Sequence, residues 1–431
     1  MSLTMALIVR SFTLLTILGF TTAAPELKKR ACPSIAPAFA PTMASGYTAK
    51  VVMNGLKTPR EMVFDPLGNL LVVEQGGGGV RLIKLTDNGG TDVCSASSKT
   101  LINDRTLNHG LELTPDGKTL FVSSIASVFA YPYDAAAGTV GAKTAVITGM
   151  TISGPYHLTR TLRIAPTNPE LLIVQRGSNG NIDSATTGVD AGRSQVRVFN
   201  IASILATPVD YSKGGEVLGW GLRNSVGWGQ HPITGGIWSV ENSADDIKKG
   251  GKDVHTNNPA EELNYHGLVN DTKSPEWGAN YGYPSCFGVW ESSSLGGLKV
   301  GQQTSIDASV GASTDADCAK KYAPKLVFPA HTAPLDIKFK KDGSAAFITF
   351  HGSWDRSPPD GFRLSRIAFG KNGMPTEAAT STSAAVNIMQ NSNLGSCPNS
   401  CFRPTGMAWD SKDRLFMSSD TTNEIFIIGG T

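Results

Sequence analysis

Charge is scarce in this chain. Only 17% of its 431 residues are charged, and 38 basic against 36 acidic residues leave a formal net charge of +2. So small an imbalance gives no bulk attraction to nucleic acid or to an anionic membrane, and neither partner is expected. Long amphipathic helical patterns are missing as well. Low charge together with 47 glycines and 24 prolines excludes a coiled coil, a helical bundle or a disordered chain. The length admits one large core or two ordinary domains, but no linker or change of pattern divides it.

The first thirty residues read as processing signals. Arg10 precedes an apolar run over residues 12–20, followed by Thr21-Thr22-Ala23-Ala24. That run is too short and wrongly flanked to span a bilayer, so residues 1–24 are expected to be a secretory signal. Lys28-Lys29-Arg30 then offers a dibasic site for trimming a pro-segment over residues 25–30, so the mature chain would start near Ala31. A secreted, extracellular protein follows, close to neutral because Arg10, Lys28, Lys29 and Arg30 leave with the leader. Six cysteines remain, an even number that reads as three disulfides in a secreted chain. Zinc is the rival reading, but no histidine stands at ligand spacing around them. Cys397 and Cys401 are expected to close a small loop, which favours Cys286–Cys318 and Cys32–Cys94 for the others, although six cysteines allow fifteen pairings. Asn270-Asp271-Thr272 is a glycosylation sequon in an expected surface loop.

A repeat organises the rest. A turn followed by a short apolar strand occurs as Asp65-Pro-Leu-Gly68-Asn-Leu-Leu-Val-Val73 and as Thr114-Pro-Asp-Gly117-Lys-Thr-Leu-Phe-Val122. It returns at Ala165-Pro-Thr-Asn168, His231-Pro-Ile-Thr-Gly235, Lys341-Asp-Gly343 and Asp410-Ser-Lys-Asp413. The turns use Pro, Asp, Asn and Gly, which preset tight turns or accept positive φ, and the strands use β-branched and aromatic residues. Another short strand precedes each turn, as in Leu335-Asp-Ile-Lys-Phe339. Six hairpins give roughly 67 residues per unit, and a six-bladed β-propeller, all-β and spanning residues 31–431 as one domain, fits them. Ring closure is expected between residues 47–52 and 425–428. The segment 244–330, rich in Asn, Gly and Trp, reads as long loops over one face or as a hidden seventh blade.

One position in each repeat carries chemistry. At the head of the strand before each turn stand Arg60, His109, Arg160, Arg223-Asn224, His331 and Arg403. The innermost strands of a propeller line its axial channel, so these heads are expected to converge at the channel mouth. So many cations in a small volume repel one another unless an anion fills it, and guanidinium forks match carboxylates bidentately. A ligand with several carboxylates is the reading for the whole set. For any single arginine, pairing with Glu61, Glu74 or Glu112 is the blander one. Glu241-Asn242-Ser243-Ala244-Asp245-Asp246, beside the same mouth, is either a calcium loop or a solvated acidic turn. Trp354 is placed to stack on a flat ligand, or simply to pack.

Taken together, Asn108-His109-Gly110-Leu111-Glu112, Gly221-Leu-Arg223-Asn224-Ser-Val-Gly227, Trp277-Gly-Ala-Asn280-Tyr-Gly-Tyr-Pro284 and His351-Gly-Ser-Trp354-Asp355-Arg356 resemble the soluble quinoprotein sugar dehydrogenases. Across the whole mature chain they are most similar to the fungal pyrroloquinoline-quinone (PQQ)-dependent pyranose dehydrogenases, and they also resemble bacterial sorbosone dehydrogenases. The resemblance implies a six-bladed propeller with PQQ, a planar tricarboxylate, and Ca2+ at the channel mouth. It implies His109 as the general base that takes the sugar hydroxyl proton while hydride passes to the quinone. By the same resemblance Arg223 and Asn224 contact the cofactor, as do Arg60, His331, Trp354, Arg356 and Arg403, while backbone carbonyls of Glu241 and Asn242 hold the calcium. The expected activity is oxidation of aldoses or 2-keto-aldoses at C1. Some fungal relatives carry a haem cytochrome domain and a cellulose-binding module. This chain shows neither, so electrons are expected to leave to an external acceptor, a secreted cytochrome or a copper polysaccharide monooxygenase. A monomer is expected. The alternatives are a calcium-dependent propeller lactonase, which centres its metal on side-chain carboxylates in the channel, and a non-catalytic propeller binding glycans or proteins through residues 244–330.

Overall fold

The computed structural model describes residues 31–152, 154, 156–310 and 314–431. The expected signal and pro-segments, residues 1–24 and 25–30, lie outside the described residues. Each of the six turns found in the sequence joins the two innermost strands of a blade. The innermost strands are Pro59–Phe64, Leu107–Leu113, Leu162–Ala165, Gly227–Gln230, Pro334–Phe339 and Pro404–Trp409, for blades 1 to 6 in chain order. Consecutive innermost strands touch, and that of blade 6 touches that of blade 1, so the sheets close into a six-bladed β-propeller.

Apolar faces of neighbouring blades stack on each other, so the core comes as six wedges rather than one mass. Leu71, Val73, Leu111 and Val122 fill the wedge between blades 1 and 2. Trp238, Leu263, Ile337 and Ile348 fill that between blades 4 and 5, and Leu70, Val72, Phe416 and Ile427 that between blades 6 and 1. Closure is double. Thr48–Met53 pairs antiparallel with Glu424–Gly429 to complete blade 6, as the sequence predicts, and Pro41–Met43 adds an outer strand to blade 5. Disulfides join Cys32 to Cys94, Cys286 to Cys318 and Cys397 to Cys401, the pairing favoured from sequence.

Residues 244–330 contain no seventh blade among the described residues. Glu261–Leu268 and Leu326–Phe328 are the outer strands of blade 4. Between them lie ribbons and turns, including Cys286–Gly288 paired with Gln303–Ser305. They bury a small core of their own, with Ala244, Ile247, Tyr283, Phe287 and Ile306.

The innermost strands meet backbone to backbone. A Cβ at Gly406 of blade 6 would stand 2.5 Å from the Arg60 carbonyl oxygen of blade 1, and one at Gly227 of blade 4 would stand 2.7 Å from Asp336 Cα of blade 5. Buried hydroxyls stitch the same seams. Thr161 Oγ1 donates to the Val226 carbonyl at 2.5 Å, Thr349 Oγ1 to the Thr405 carbonyl at 2.6 Å, and Ser418 Oγ to the Arg60 carbonyl at 2.8 Å. In blades 1, 2, 5 and 6 the ladder register slips at the head of the innermost strand, so the head residues leave regular pairing. Gly406→Ala is expected to cost about 1–3 kcal/mol by forcing blades 6 and 1 apart. Urea unfolding of the variant measures this, and an unchanged midpoint would show that the seam yields freely.

Candidate active site

The six strand heads do not form one ring. Those of blades 3 to 5, with the loops that follow the second strands, enclose a polar cavity of about 350 Å³. Of the residues expected from sequence, Arg223, Asn224, His331, Asn242 and Trp354 line it, joined by His157, Asn181, Asp245, Glu261 and Asp355. Glu241 lies just behind, its carboxyl accepting from the Asn224 amide at 2.8 Å and from the Ser225 hydroxyl. Arg60, His109 and Arg403 belong to blades 1, 2 and 6, in that order, and are not among the lining side chains. Arg356 donates to the Ala330 carbonyl at 3.1 Å and to Asn257 Oδ1 at 3.3 Å. Arg160 is fully buried, its guanidinium donating to the carbonyls of His157, Thr159 and Met150.

Counter-charge comes from aspartates that sequence reasoning did not pair with these cations. Arg223 meets Asp245 at 2.9 Å, and Arg60 and His351 converge on Asp420 at 2.8 and 2.9 Å. The glutamates expected as partners serve elsewhere: Glu61 faces Lys338, Glu74 faces Arg81 and Glu112 faces Arg163. On the blade 6 side, Arg60 and Arg403 outnumber Asp420, and burial pulls His351 down towards its neutral form. Positive charge is left over.

Around the cavity the hydrogen bonds fix where three histidines carry a ring hydrogen. His331 Nε2 lies 2.7 Å from the His255 carbonyl, which only accepts, so Nε2 carries a hydrogen. Its Nδ1 lies 3.4 Å from Asp245 and 3.5 Å from Asp355. Burial works against charge here, but the Asp245 hydrogen bond and the charges of Asp355 and Glu261 raise the His331 pKa above its ordinary value. His331, held between two carboxyls, is thus biased towards its cationic form. Asp245 is pushed down to about 2 despite its burial, by His331 and Arg223, whereas burial and Asp245 push Asp355 up. His255, His331 and Asp355 lie close enough to suggest a metal site. The tautomers argue against one: His255 Nδ1 accepts from the Asp246 amide at 2.7 Å and Nε2 donates to the Asp355 carbonyl at 3.0 Å, leaving that ring no lone pair for a metal.

His157 is the opposite case. Its Nδ1 faces the Ser178 carbonyl at 3.0 Å and Ser178 Oγ at 2.9 Å. The Ser178 hydroxyl already donates to the Gly180 carbonyl at 2.7 Å, so both oxygens accept and Nδ1 carries the hydrogen. The lone pair is therefore on Nε2, which no protein group among the described residues engages. Burial and the Arg223 charge push the His157 pKa down to about 3, so the ring stays neutral. His109 is arranged differently. It is 1% exposed, its Nδ1 accepts from Arg60 Nε at 3.2 Å, and its neutral ring carries its hydrogen on the unpartnered Nε2. His157 was missed because the sequence pattern pointed to Arg160 as the blade 3 head. The cue was its place in the loop entering that strand.

The backbone is strained here. Of nine non-glycine residues at positive φ among the described residues, four line the cavity: His157, Asp246, His331 and Ala333. Beneath it three buried carboxyls stand close together. Burial raises Glu241 to about 8, and Glu261 and Glu262 to about 7. Such a donor set, with the oxygen-rich turn after Glu241, suits a divalent cation. The cavity above offers the cations Arg223 and His331, three asparagine amides, and the indole of Trp354, 70% exposed at the rim. A planar polycarboxylate of PQQ size fits that combination and that volume.

A six-bladed propeller with a cationic, strained pocket over buried carboxyls defines the class of protein. Residues 41–431 match the TrAA12-like family, and the chain belongs to it. A PQQ-dependent sugar dehydrogenase of Hypocrea jecorina is 45% identical over 90% of this chain and 89% of its own length. A calcium structure of the Trichoderma reesei carbohydrate-active enzyme family AA12 superposes with a TM-score of 0.89 at 44% identity, over 93% of this chain and 99% of that one. The holo PQQ domain of Coprinopsis cinerea pyranose dehydrogenase gives a TM-score of 0.84 at 37% identity, over 91% and 98%. The chain spans 56% of the full-length Coprinopsis protein.

The tautomers can be measured directly. Two-bond proton–nitrogen spectra at pH 5 are expected to show His157 neutral with its hydrogen on Nδ1 and His331 doubly protonated. A His157 that titrates near the ordinary 6.5 would contradict this geometry.

Proposed function

We propose that this chain is a secreted PQQ-dependent pyranose dehydrogenase that oxidises aldoses or 2-keto-aldoses at C1 and passes electrons to an external acceptor. The observation that carries the reading is the pocket between blades 3 and 5, where fixed cations, a flat exposed indole and a neutral histidine with a free lone pair meet. Its relatives' names and its three disulfides support the same reading. When bound, PQQ supplies a quinone that accepts hydride from the sugar carbon, and Ca2+ polarises its carbonyl.

Arg223 and His331 would hold the cofactor carboxylates, with Asn224 beside them and Trp354 covering its face. Glu241 and Asn242 would hold the calcium through their carbonyls. Arg60 and Arg403 add to the positive field from the far side of the channel. Arg403 also donates to the Gly352 carbonyl at 2.6 Å, and with Arg356 it fixes the loop that carries Trp354. His157 Nε2 takes the proton of the sugar hydroxyl, in the role expected for His109. The Ser178 oxygens hold the ring in the required tautomer. Depressed to about 3, His157 remains a base through mildly acidic conditions. The lactonase alternative needs free carboxylates in the channel, but Asp336, Glu61 and Glu112 there are engaged by Lys338 and Arg163.

Titration of the calcium-loaded apoprotein with PQQ, then a sugar panel with a dye acceptor, tests the assignment. Saturable binding with sugar-dependent dye reduction is expected, and absence of binding would overturn it. His157→Asn is expected to lower kcat by about 10²–10⁴-fold with PQQ affinity kept. If His109→Asn loses turnover and His157→Asn retains it, the base is His109. The acid limb of kcat/KM should lie well below pH 6.5, because protonation of His157 is postponed to low pH.

A further inference from the structure

On the outer flank of blade 3, far along the sheet from the channel, lies a second cavity of about 480 Å³. Its walls are mainly apolar. Phe199 and Ile204 come from the start and middle of the segment around the short helix Ile201–Ala206, and Val269 and Trp277 from the turn that follows Glu261–Leu268. The remaining wall is the sequon itself: Asn270 and Thr272 both line the groove. Asn270-Asp271-Thr272 is the one Asn-X-Ser/Thr sequence with X other than Pro in the chain. Asn270 is exposed, in a turn closed by the Asp271 amide donating to the Leu268 carbonyl at 3.2 Å, and its side chain makes no hydrogen bond among the described residues.

We infer that Asn270 is N-glycosylated and that the first sugars of the glycan lie in this groove, against Trp277. A glycan anchored at the lip of an apolar groove enters it at little cost in ordering, because its attachment point already fixes position. The N-acetylglucosamine next to the protein has an apolar ring face and an acetyl methyl, which suit an indole and aliphatic walls. Its hydroxyls remain at the rim, where Asn200, Ser203 and Glu216 supply polar groups. The seat also shields the blade 3 edge, where Glu216–Trp220 is covered over only two residues by Ala279–Asn280. In the transfer, Asn270 Nδ2 bonds to C1 of the sugar as the C1–oxygen bond to a lipid-linked pyrophosphate breaks. The pyrophosphate leaves with the bonding electrons, the amide proton goes to base, and nothing is oxidised or reduced. The lipid-linked oligosaccharide and its transferase are those of the secretory pathway, so the inference rests on the proposed secretion and not on the proposed catalysis.

The full chain, secreted from a yeast host, is trimmed with an endoglycosidase that leaves one N-acetylglucosamine and mapped by peptide mass spectrometry. The expected result is that residue on the Asn270 peptide, lost completely in Asn270→Gln and Thr272→Ala and kept in Thr272→Ser. Amide hydrogen exchange then compares the intact glycoprotein with enzymatically deglycosylated protein. Loss of protection over residues 198–216 and 268–277 on deglycosylation is expected. A secreted, processed chain with bare Asn270 overturns the modification, and unchanged exchange overturns the seat in the groove. An unprocessed chain retained in the cell overturns this inference together with the proposed secretion, and is told apart by its intact leader. Sugar oxidation in Asn270→Gln is expected to equal that of the unaltered protein.

Discussion

Everything in this molecule depends on how closely the six innermost strands approach. Main chain meets main chain across the seams, with no room for a Cβ at Gly406 or Gly227. Such proximity leaves carbonyls with no ladder partner, and buried Thr and Ser hydroxyls satisfy them from the adjacent blade. It also forces the strand heads out of regular pairing, and those irregular heads are the residues presented to the channel and the pocket. The site is therefore a by-product of ring closure. Its geometry is set by seams between blades rather than by any single blade.

Electrostatics follow from the same arrangement. Converging heads bring like charges together, and the protein answers with a few buried aspartates, each shared between two basic side chains. Asp245 stands between Arg223 and His331, and Asp420 between Arg60 and His351. Sharing leaves positive charge uncompensated at both places, Arg403 adding to Arg60 at the second, and the proposed polycarboxylate cofactor would offset it. Beneath the pocket the opposite holds, with Glu241, Glu261 and Glu262 short of a cation. A cation-rich pocket stacked above carboxyls that lack a counter-ion supports the proposed anionic cofactor and metal better than either region would alone.

Turn chemistry made the fold readable. Six turns with presetting residues, each before a β-branched strand, mark every innermost hairpin, and the ring-closing pair was visible at both ends. The site was only partly legible. Arg223, Asn224, His331 and Trp354 could be placed because they sit at fixed offsets from those turns. His157, Asn181 and Asp355 could not, because they stand on loops whose path depends on tertiary packing and, at His157, on a backbone conformation that ordinary residues avoid. Arg160 shows the converse error: it holds a strand-head position but is turned inward to three carbonyls. Repeat position tells where the backbone goes, and the local hydrogen-bond demand decides where the side chain points.

Two of the earliest-made strands, Pro41–Met43 and Thr48–Met53, complete the two blades that are made last. During synthesis both must wait, unpaired, while more than three hundred residues emerge between them and their partners, as the register of Thr48 with Gly429 requires. Contacts of such separation are slow to form. Until Glu424–Gly429 arrives, the growing chain is an open arc with Thr48–Met53 unpaired and the edge of blade 6 unfilled. The ring is thus a checkpoint on completeness: a nascent chain that lacks its last strand leaves open a sheet edge that the finished ring conceals.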